Sequence, residues 1–166
     1  TVTPLAALRS ELGSRLTYAP GLKDGEDSSH DGFVAAVEAA RSSDVIVLFV
    51  GETAWMSGEA NSRARLDLPG AQNALIEELA KLGKPIIGVI MAGRPLTLGA
   101  VADKLDAILY SFHPGTMGGP AIADVLLGRV SPSGKTPVSF PRSVGQIPIP
   151  YNPLATGRPH NDDDHF

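Results

Sequence analysis

Three apolar runs at residues 45–50, 85–91 and 107–112, separated by stretches of helical period that end in glycine, predict an α/β fold with a mainly parallel sheet. Strand-helix-strand units with short connections require right-handed crossovers, which lay helices on both faces of the sheet and give a three-layer sandwich. A chain of 166 residues is long enough to bury such a core as one domain, without a disulfide or a structural metal.

The elements follow in order. Thr3 and Pro4 supply a cap and a proline suited to a first turn, Leu5, Leu8 and Leu12 recur at helical spacing, and Gly13 can stop that helix. Residues 16–19 read as a short strand. Residues 20–31, rich in Gly, Asp and Ser, read as a loop leading to a helix over about 31–42 that buries Phe33, Val37 and Ala40. The run 45–50 is apolar throughout, between Ser-Asp and Gly-Glu, which predicts a central strand covered on both faces. Residues 70–82 return to helical period through Leu75, Ile76, Leu79 and Leu82, Gly83 stops them, and 85–91 form a second buried strand. A short helix at 96–102, a strand at 107–112, a helix at 118–127 stopped by Gly128, and a strand near 137–140 complete the alternation. From Pro141 the chain reads as an extended strap, with a polar, disordered or interrupted end at 160–166. No repeat of solenoid period is visible.

The totals narrow the functions. Hydrophobic residues make up 43% and charged residues 19%, and the net charge of −4 offers no electrostatic reason for nucleic acid or an anionic membrane as partner. Without cysteine there are no disulfides, no thiolate catalysis and no Cys-ligated zinc, while the compartment stays open. No apolar run approaches the roughly 20 residues that span a bilayer, so a soluble chain is expected. It begins at Thr1 with neither an initiator Met nor a signal peptide, as a processed product or the ordered part of something longer would.

In an open parallel sheet, ligands gather beyond the carboxyl ends of the strands, here the loops 51–69, 92–95 and 113–119. The first is longer than such connections usually are and carries Glu52, Trp55, Glu59, Asn61, Arg63, Arg65 and Asp67. A carboxylic acid beside an indole face and arginines suits sugars: Trp55 offers a flat apolar platform, while Glu and Arg hydrogen-bond hydroxyls or transfer a proton. The plainer alternative is a surface pair between Glu59 and Arg63, with Trp55 packed over the sheet edge. Arg94, just beyond a strand end, can fork onto a carboxylate or sugar hydroxyls, or fasten its loop to a neighbour. His113 can act as acid, base or ligand contact, or as a hydrogen-bonded structural element.

Other motifs fail. Gly134-Lys135-Thr136 resembles the end of a phosphate-binding loop, but the required upstream glycine falls at Arg129 and Pro137 occupies the helix start. Neither a dinucleotide fingerprint nor a nucleophile elbow is present. The histidines His30, His113, His160 and His165 lack metal-ligand spacing, so neither a metal nor a cofactor is expected.

Taken together, Gly-Glu at 51–52, Ser-Gly-Glu-Ala-Asn-Ser-Arg at 57–63, Leu-Asp-Leu-Pro at 66–69 and Gly-Arg-Pro-Leu at 93–96 resemble one family. Pro-Gly-Thr at 114–116, Ala-Asp-Val-Leu-Leu-Gly at 123–128, Pro-Ser-Gly-Lys at 132–135 and Ser-Phe-Pro-Arg-Ser-Val-Gly-Gln-Ile-Pro at 139–148 extend the resemblance. It is to the carboxy-terminal α/β-sandwich domain of glycoside hydrolase family 3, nearest the bacterial periplasmic β-glucosidase type, and covers residues 2 to about 159. The resemblance implies a domain over 1–159 of a retaining exo-acting β-glycosidase that removes terminal β-linked sugars from an oligosaccharide or aryl glucoside, outside the cytoplasm. It also implies an aspartate nucleophile on a preceding (β/α)8 barrel, with the general acid/base glutamate supplied by this domain. Glu59 matches that role, and Glu52 is the alternative. Trp55, Arg63, Arg94 and His113 are the expected substrate contacts. Met117 departs from the pattern, since relatives often carry Glu after Pro-Gly-Thr. Without a barrel the domain is expected to be inactive. A different reading is a stand-alone, non-catalytic carbohydrate-binding or interaction module using the same loops.

Overall fold

The computed structural model describes residues 1–150. Helix α1 (Pro4–Leu12) starts as the sequence predicts, with Pro4 in its first turn and Thr3 Oγ1 accepting from the Ala6 N–H at 3.1 Å. Helix α2 (Phe33–Arg41) leads into strand β1 (Ile46–Gly51), helix α3 (Gln72–Ala80) into β2 (Ile86–Met91), and β3 (Ala107–Tyr110) is followed by helix α4 (Gly118–Leu126). The three strands are parallel in the order β1-β2-β3, with Ile46 opposite Ile86, Gly51 opposite Met91, and Ile90 opposite Tyr110.

The helical period of α2 and α3 turns Phe33, Ala40, Leu75, Ile76 and Leu79 onto Ile46, Val50, Ile86 and Ile90, which project from one face of the sheet. Ile76 and Ile90 are fully buried, each stabilising the fold by about 1.5–3 kcal/mol relative to exposure. Val89 points to the opposite face by strand alternation and is also fully buried, so both faces of β2 are covered. A second apolar cluster joins α1 and α4 through Ala7, Leu8 and Ala123, with Leu12, Leu16 and Leu126 alongside. The architecture is the α/β three-layer sandwich with a parallel sheet.

Several local expectations fail. Among the described residues β1 lies at the sheet edge and β2 at the centre. Val47 and Phe49 are each 36% exposed, so β1 is not fully covered. An unbroken apolar run reports only that polar alternation is missing, which edge and central strands share here. Residues 16–19 form no strand; the Leu16 N–H closes a tight turn onto Gly13 O, and Leu16 packs with the α1–α4 cluster. Residues 96–101 form no helix: the Leu96 N–H goes to Tyr110 Oη and the Thr97 N–H to Leu66 O, which fastens 96–97 across to neighbouring segments, and only a turn closing onto Leu98 O follows. Leu96 and Val101 instead plug the core, and a single 3-10 turn follows at Ala102–Lys104.

The third strand stops at Tyr110, two residues early, since Phe112 takes the left-handed φ of 50°. Residues 137–140 do not pair as a strand; Phe140 crosses Tyr110 edge-on, their ring centres 4.8 Å apart. The expectations for the end of the chain beyond residue 150, including the polar tail 160–166, lie outside the described residues. No helix among the described residues is long and apolar enough to cross a membrane.

Candidate functional site

Because the strands are parallel, the loops 52–69, 92–95 and 111–117 emerge at the same edge of the sheet. The first leaves β1 through Gly51, at φ +145°, where a Cβ would lie 1.9 Å from the Met91 carbonyl oxygen. Only glycine fits that approach. The neighbouring Gln72, 2% exposed, holds the strand end from α3. Its Oε1 accepts from the Gly51 N–H at 2.7 Å, and its Nε2 donates to Gly51 O at 2.8 Å and to Gly25 O at 2.7 Å.

Glu52 continues the ladder, its N–H donating to Met91 O at 2.9 Å, and turns its side chain fully inward. Oε1 lies 2.6 Å from Arg63 Nη1; Oε2 lies 3.3 Å from Arg94 Nε, near enough for ion pairing but without a hydrogen bond. Each guanidinium also reaches the loop backbone: Arg63 Nη2 donates to Asp67 O at 3.0 Å, and Arg94 Nη2 donates to Met56 O. A buried carboxylate demands such partners, which is why Arg63 turns to Glu52 and not to the exposed Glu59 one helical turn away in sequence.

The far end of the loop is fastened separately. Thr97 Oγ1 donates to the Asp67 carboxylate at 2.7 Å and the Thr97 N–H to Leu66 O at 2.8 Å. Beneath them, Tyr110 Oη accepts from the Leu96 N–H at 3.1 Å and donates to Arg94 O at 2.5 Å. Burial raises the Tyr110 phenol pKa, the Leu96 hydrogen bond opposes that rise, and the charge of Glu52 adds to it.

Between these fastenings the loop stands free. Glu59 is exposed, and among the described residues its carboxylate has neither an ion-pair nor a hydrogen-bond partner. The turn around it is local: the Asn61 N–H donates to Gly58 O at 3.2 Å and Asn61 Nδ2 to Glu59 O at 3.3 Å. Ala60 takes a left-handed φ of 62°, a conformation that costs a non-glycine residue about 1 kcal/mol or more. Trp55 is 82% exposed and so does not pack over the sheet edge. His113, also exposed, brings Nε2 to 3.4 Å from Ser57 Oγ, so the first and third loops meet over Gly93. A Cβ at Gly93 would fall 2.5 Å from Ser57 Oγ and 2.7 Å from His113 Nε2.

The expected site residues therefore divide in two. Glu52, Arg63 and Arg94 form one inward cluster, and both guanidiniums are committed to protein oxygens instead of facing solvent as sugar contacts would. Glu59, Trp55 and His113 face outward. Gln72, Thr97 and Tyr110 were missed from the sequence, whereas Asp67 was among the polar residues of the first loop. Tyr110 alone carried a signal, a phenol at the end of an otherwise aliphatic strand, where a buried polar tip needs a partner.

Comparison with known proteins gives the family of the chain. The family model described as glycosyl hydrolase family 3 C-terminal domain matches residues 1–166. A periplasmic beta-glucosidase of Salmonella typhimurium is 42% identical over 182 residues, covering 97% of this chain and 24% of that protein. A beta-xylosidase of Formosa agariphila is 41% identical over 152 residues, covering 90% and 21%. Among solved structures, the beta-glucosidase of Listeria innocua in complex with isofagomine superposes with a TM-score of 0.86 at 39% identity, over 95% of this chain and 22% of that one. The chain thus spans under a quarter of the length of these relatives. It belongs to glycosyl hydrolase family 3, as that family's C-terminal domain.

Proposed function

We propose that this domain supplies the general acid/base, Glu59, to a retaining exo-β-glycosidase whose aspartate nucleophile lies on an N-terminal barrel domain of the full-length protein. The contrast between two carboxylates carries the assignment. Glu52 is enclosed and held by two guanidiniums, so it has no path to a glycosidic oxygen arriving from outside. Glu59 stands exposed on a loop fastened on either side, free to meet a partner surface.

In a retaining mechanism the two carboxyl groups stand about 5–5.5 Å apart. The nucleophile attacks the anomeric carbon while Glu59 gives its proton to the departing oxygen; Glu59 then takes a proton from the water that releases the sugar. A loop long enough to lean from this sheet onto a barrel mouth is what the geometry demands of the second carboxylate. Trp55 and His113 border the same loop and serve as sugar contacts, the indole face against the apolar face of a pyranose ring. The substrate class is a terminal β-linked glucoside or a close relative, in keeping with the names of the glucosidases and the xylosidase that resemble it. The likeness to a periplasmic enzyme supports a site of action outside the cytoplasm.

The test is Glu59→Gln in the full-length enzyme, assayed on an activated aryl β-glucoside with and without azide. Turnover should fall by about 10²–10⁴-fold, and azide, which needs no general base, should restore it with release of a glycosyl azide. Unchanged turnover removes Glu59 from the role. Calorimetry of the isolated chain with glucose and cellobiose addresses a stand-alone binding module, which would bind measurably without a barrel.

A further inference from the structure

We infer that Glu52 is a positioning residue for the reaction: its buried carboxylate ties both ends of the turn that carries Glu59, and so sets where the proton donor stands. This rests on the assignment of Glu59 above.

The connections converge on one side chain. Arg94 pairs with Glu52 and donates to the Met56 carbonyl, three residues before Glu59. Arg63, four residues after Glu59, pairs with the other Glu52 oxygen at 2.6 Å and donates onward to Asp67 O at 3.0 Å. Residues 56–63 thus form a span whose two ends are held by the same carboxylate, which is itself anchored in the sheet through the Glu52 N–H to Met91 O at 2.9 Å. Apart from the long Ser57 Oγ to His113 Nε2 contact of 3.4 Å near its start, the span between has only local hydrogen bonds and a left-handed residue at Ala60, so it has little rigidity of its own around Glu59. A reacting carboxylate displaced by about 1 Å can cost 10²-fold in rate. A fully enclosed carboxylate with two guanidiniums is an expensive arrangement for a loop that packing alone could hold. Its geometry is intelligible if the loop must be placed accurately.

Glu52→Gln separates positioning from chemistry. The amide oxygen can still accept from one guanidinium, but the amide NH2 then faces the other, donor against donor, and one end of the span is released. In the full-length enzyme, kcat/KM for cellobiose, whose leaving group needs a proton, should fall about tenfold to a hundredfold further than kcat/KM for 2,4-dinitrophenyl β-glucoside, whose leaving group does not. The alkaline limb of the pH profile should persist, because the acid is still present, and azide should not rescue. An equal loss on both substrates, or none, overturns the inference. Loss of the alkaline limb together with azide rescue would make Glu52 the acid itself, and overturns it also. If Glu52→Gln fails to fold, Arg63→Lys keeps the charge but cannot hold Glu52 and the Asp67 carbonyl together. The same substrate-selective loss, severalfold in size, is then expected, and its absence overturns the inference. The Glu59→Gln arm reports independently: if that variant keeps its alkaline limb, the assignment of Glu59 has failed, whatever Glu52→Gln does.

Discussion

Replacing Gln72 with Leu should destabilise the chain by about 3 kcal/mol, although the substitution keeps volume and adds apolar surface. At 2% exposure the amide is sealed from water, and its three hydrogen bonds of 2.7–2.8 Å satisfy the N–H and C=O of Gly51 and the C=O of Gly25. Leucine leaves all three without a partner. Each of the two buried Gly51 groups costs about 1–3 kcal/mol when orphaned, and the half-buried Gly25 carbonyl somewhat less, for a total near 5 kcal/mol. Apolar burial of the leucine returns about 2 kcal/mol. In a domain of this size, 3 kcal/mol lowers the melting temperature by about 6–12 °C. Urea unfolding followed by far-UV circular dichroism measures the difference, since exposed Trp55 is a poor reporter of the core. A loss below about 1 kcal/mol would mean that the strand end is held by something other than this amide, and the account of how β1 delivers Glu52 would be wrong. Gln72→Glu sharpens the test. Its second oxygen would face two carbonyls, which raises the folded-state carboxyl pKa above its unfolded value. Its stability is then greatest below about pH 4 and is lost as pH rises through the folded pKa.

Two further substitutions probe the same scaffold. Gly51→Ala places a Cβ 1.9 Å from Met91 O at φ +145°, so the ends of β1 and β2 must part; a loss above about 2 kcal/mol and faster hydrogen exchange at the Glu52 N–H are expected. Tyr110→Phe removes the hydroxyl that joins Leu96 N to Arg94 O and should cost about 1–3 kcal/mol at neutral pH by thermal unfolding. Because burial raises the folded phenol pKa, the wild-type contribution is intact below about pH 10 and is lost as pH rises through the folded value. Tyr110→Phe should lack that alkaline loss, so the two stability curves should converge at high pH.

Local pattern was enough for the four α-helices that form, though it also put one at 96–102 where none does, for two of the three described strands to within a residue, and for the loop edge where chemistry is expected. Thr3-Pro4 and the leucine spacing place α1, and the Leu75, Ile76, Leu79 set places α3, because burial of one helical face follows directly from period. The set of motifs, among them those at 51–52 and 57–63, pointed to the family and singled out Glu59 and Glu52 as the two carboxylates to weigh.

Which of those carboxylates is buried was beyond the sequence. Both precede an arginine in a polar loop, and composition treats them alike. Only the folded chain turns Glu52 inward between Arg63 and Arg94, leaving Glu59 free, because burial of a charge depends on residues that meet from separate loops. For the same reason residues 16–19 and 137–140 looked like strands and are not, and β1 looked central and, among the described residues, lies at an edge. A strand exists only where a partner offers its own N–H and C=O groups, and no property of the isolated segment says whether one will. The sequence by itself determined the class of fold, the family and the loop proposed to carry the chemistry; among the described residues, tertiary structure decided the edge of the sheet, the fastening of the loop and the separation of its two glutamates. Period and motif are local, whereas pairing and charge burial are properties of surfaces brought together.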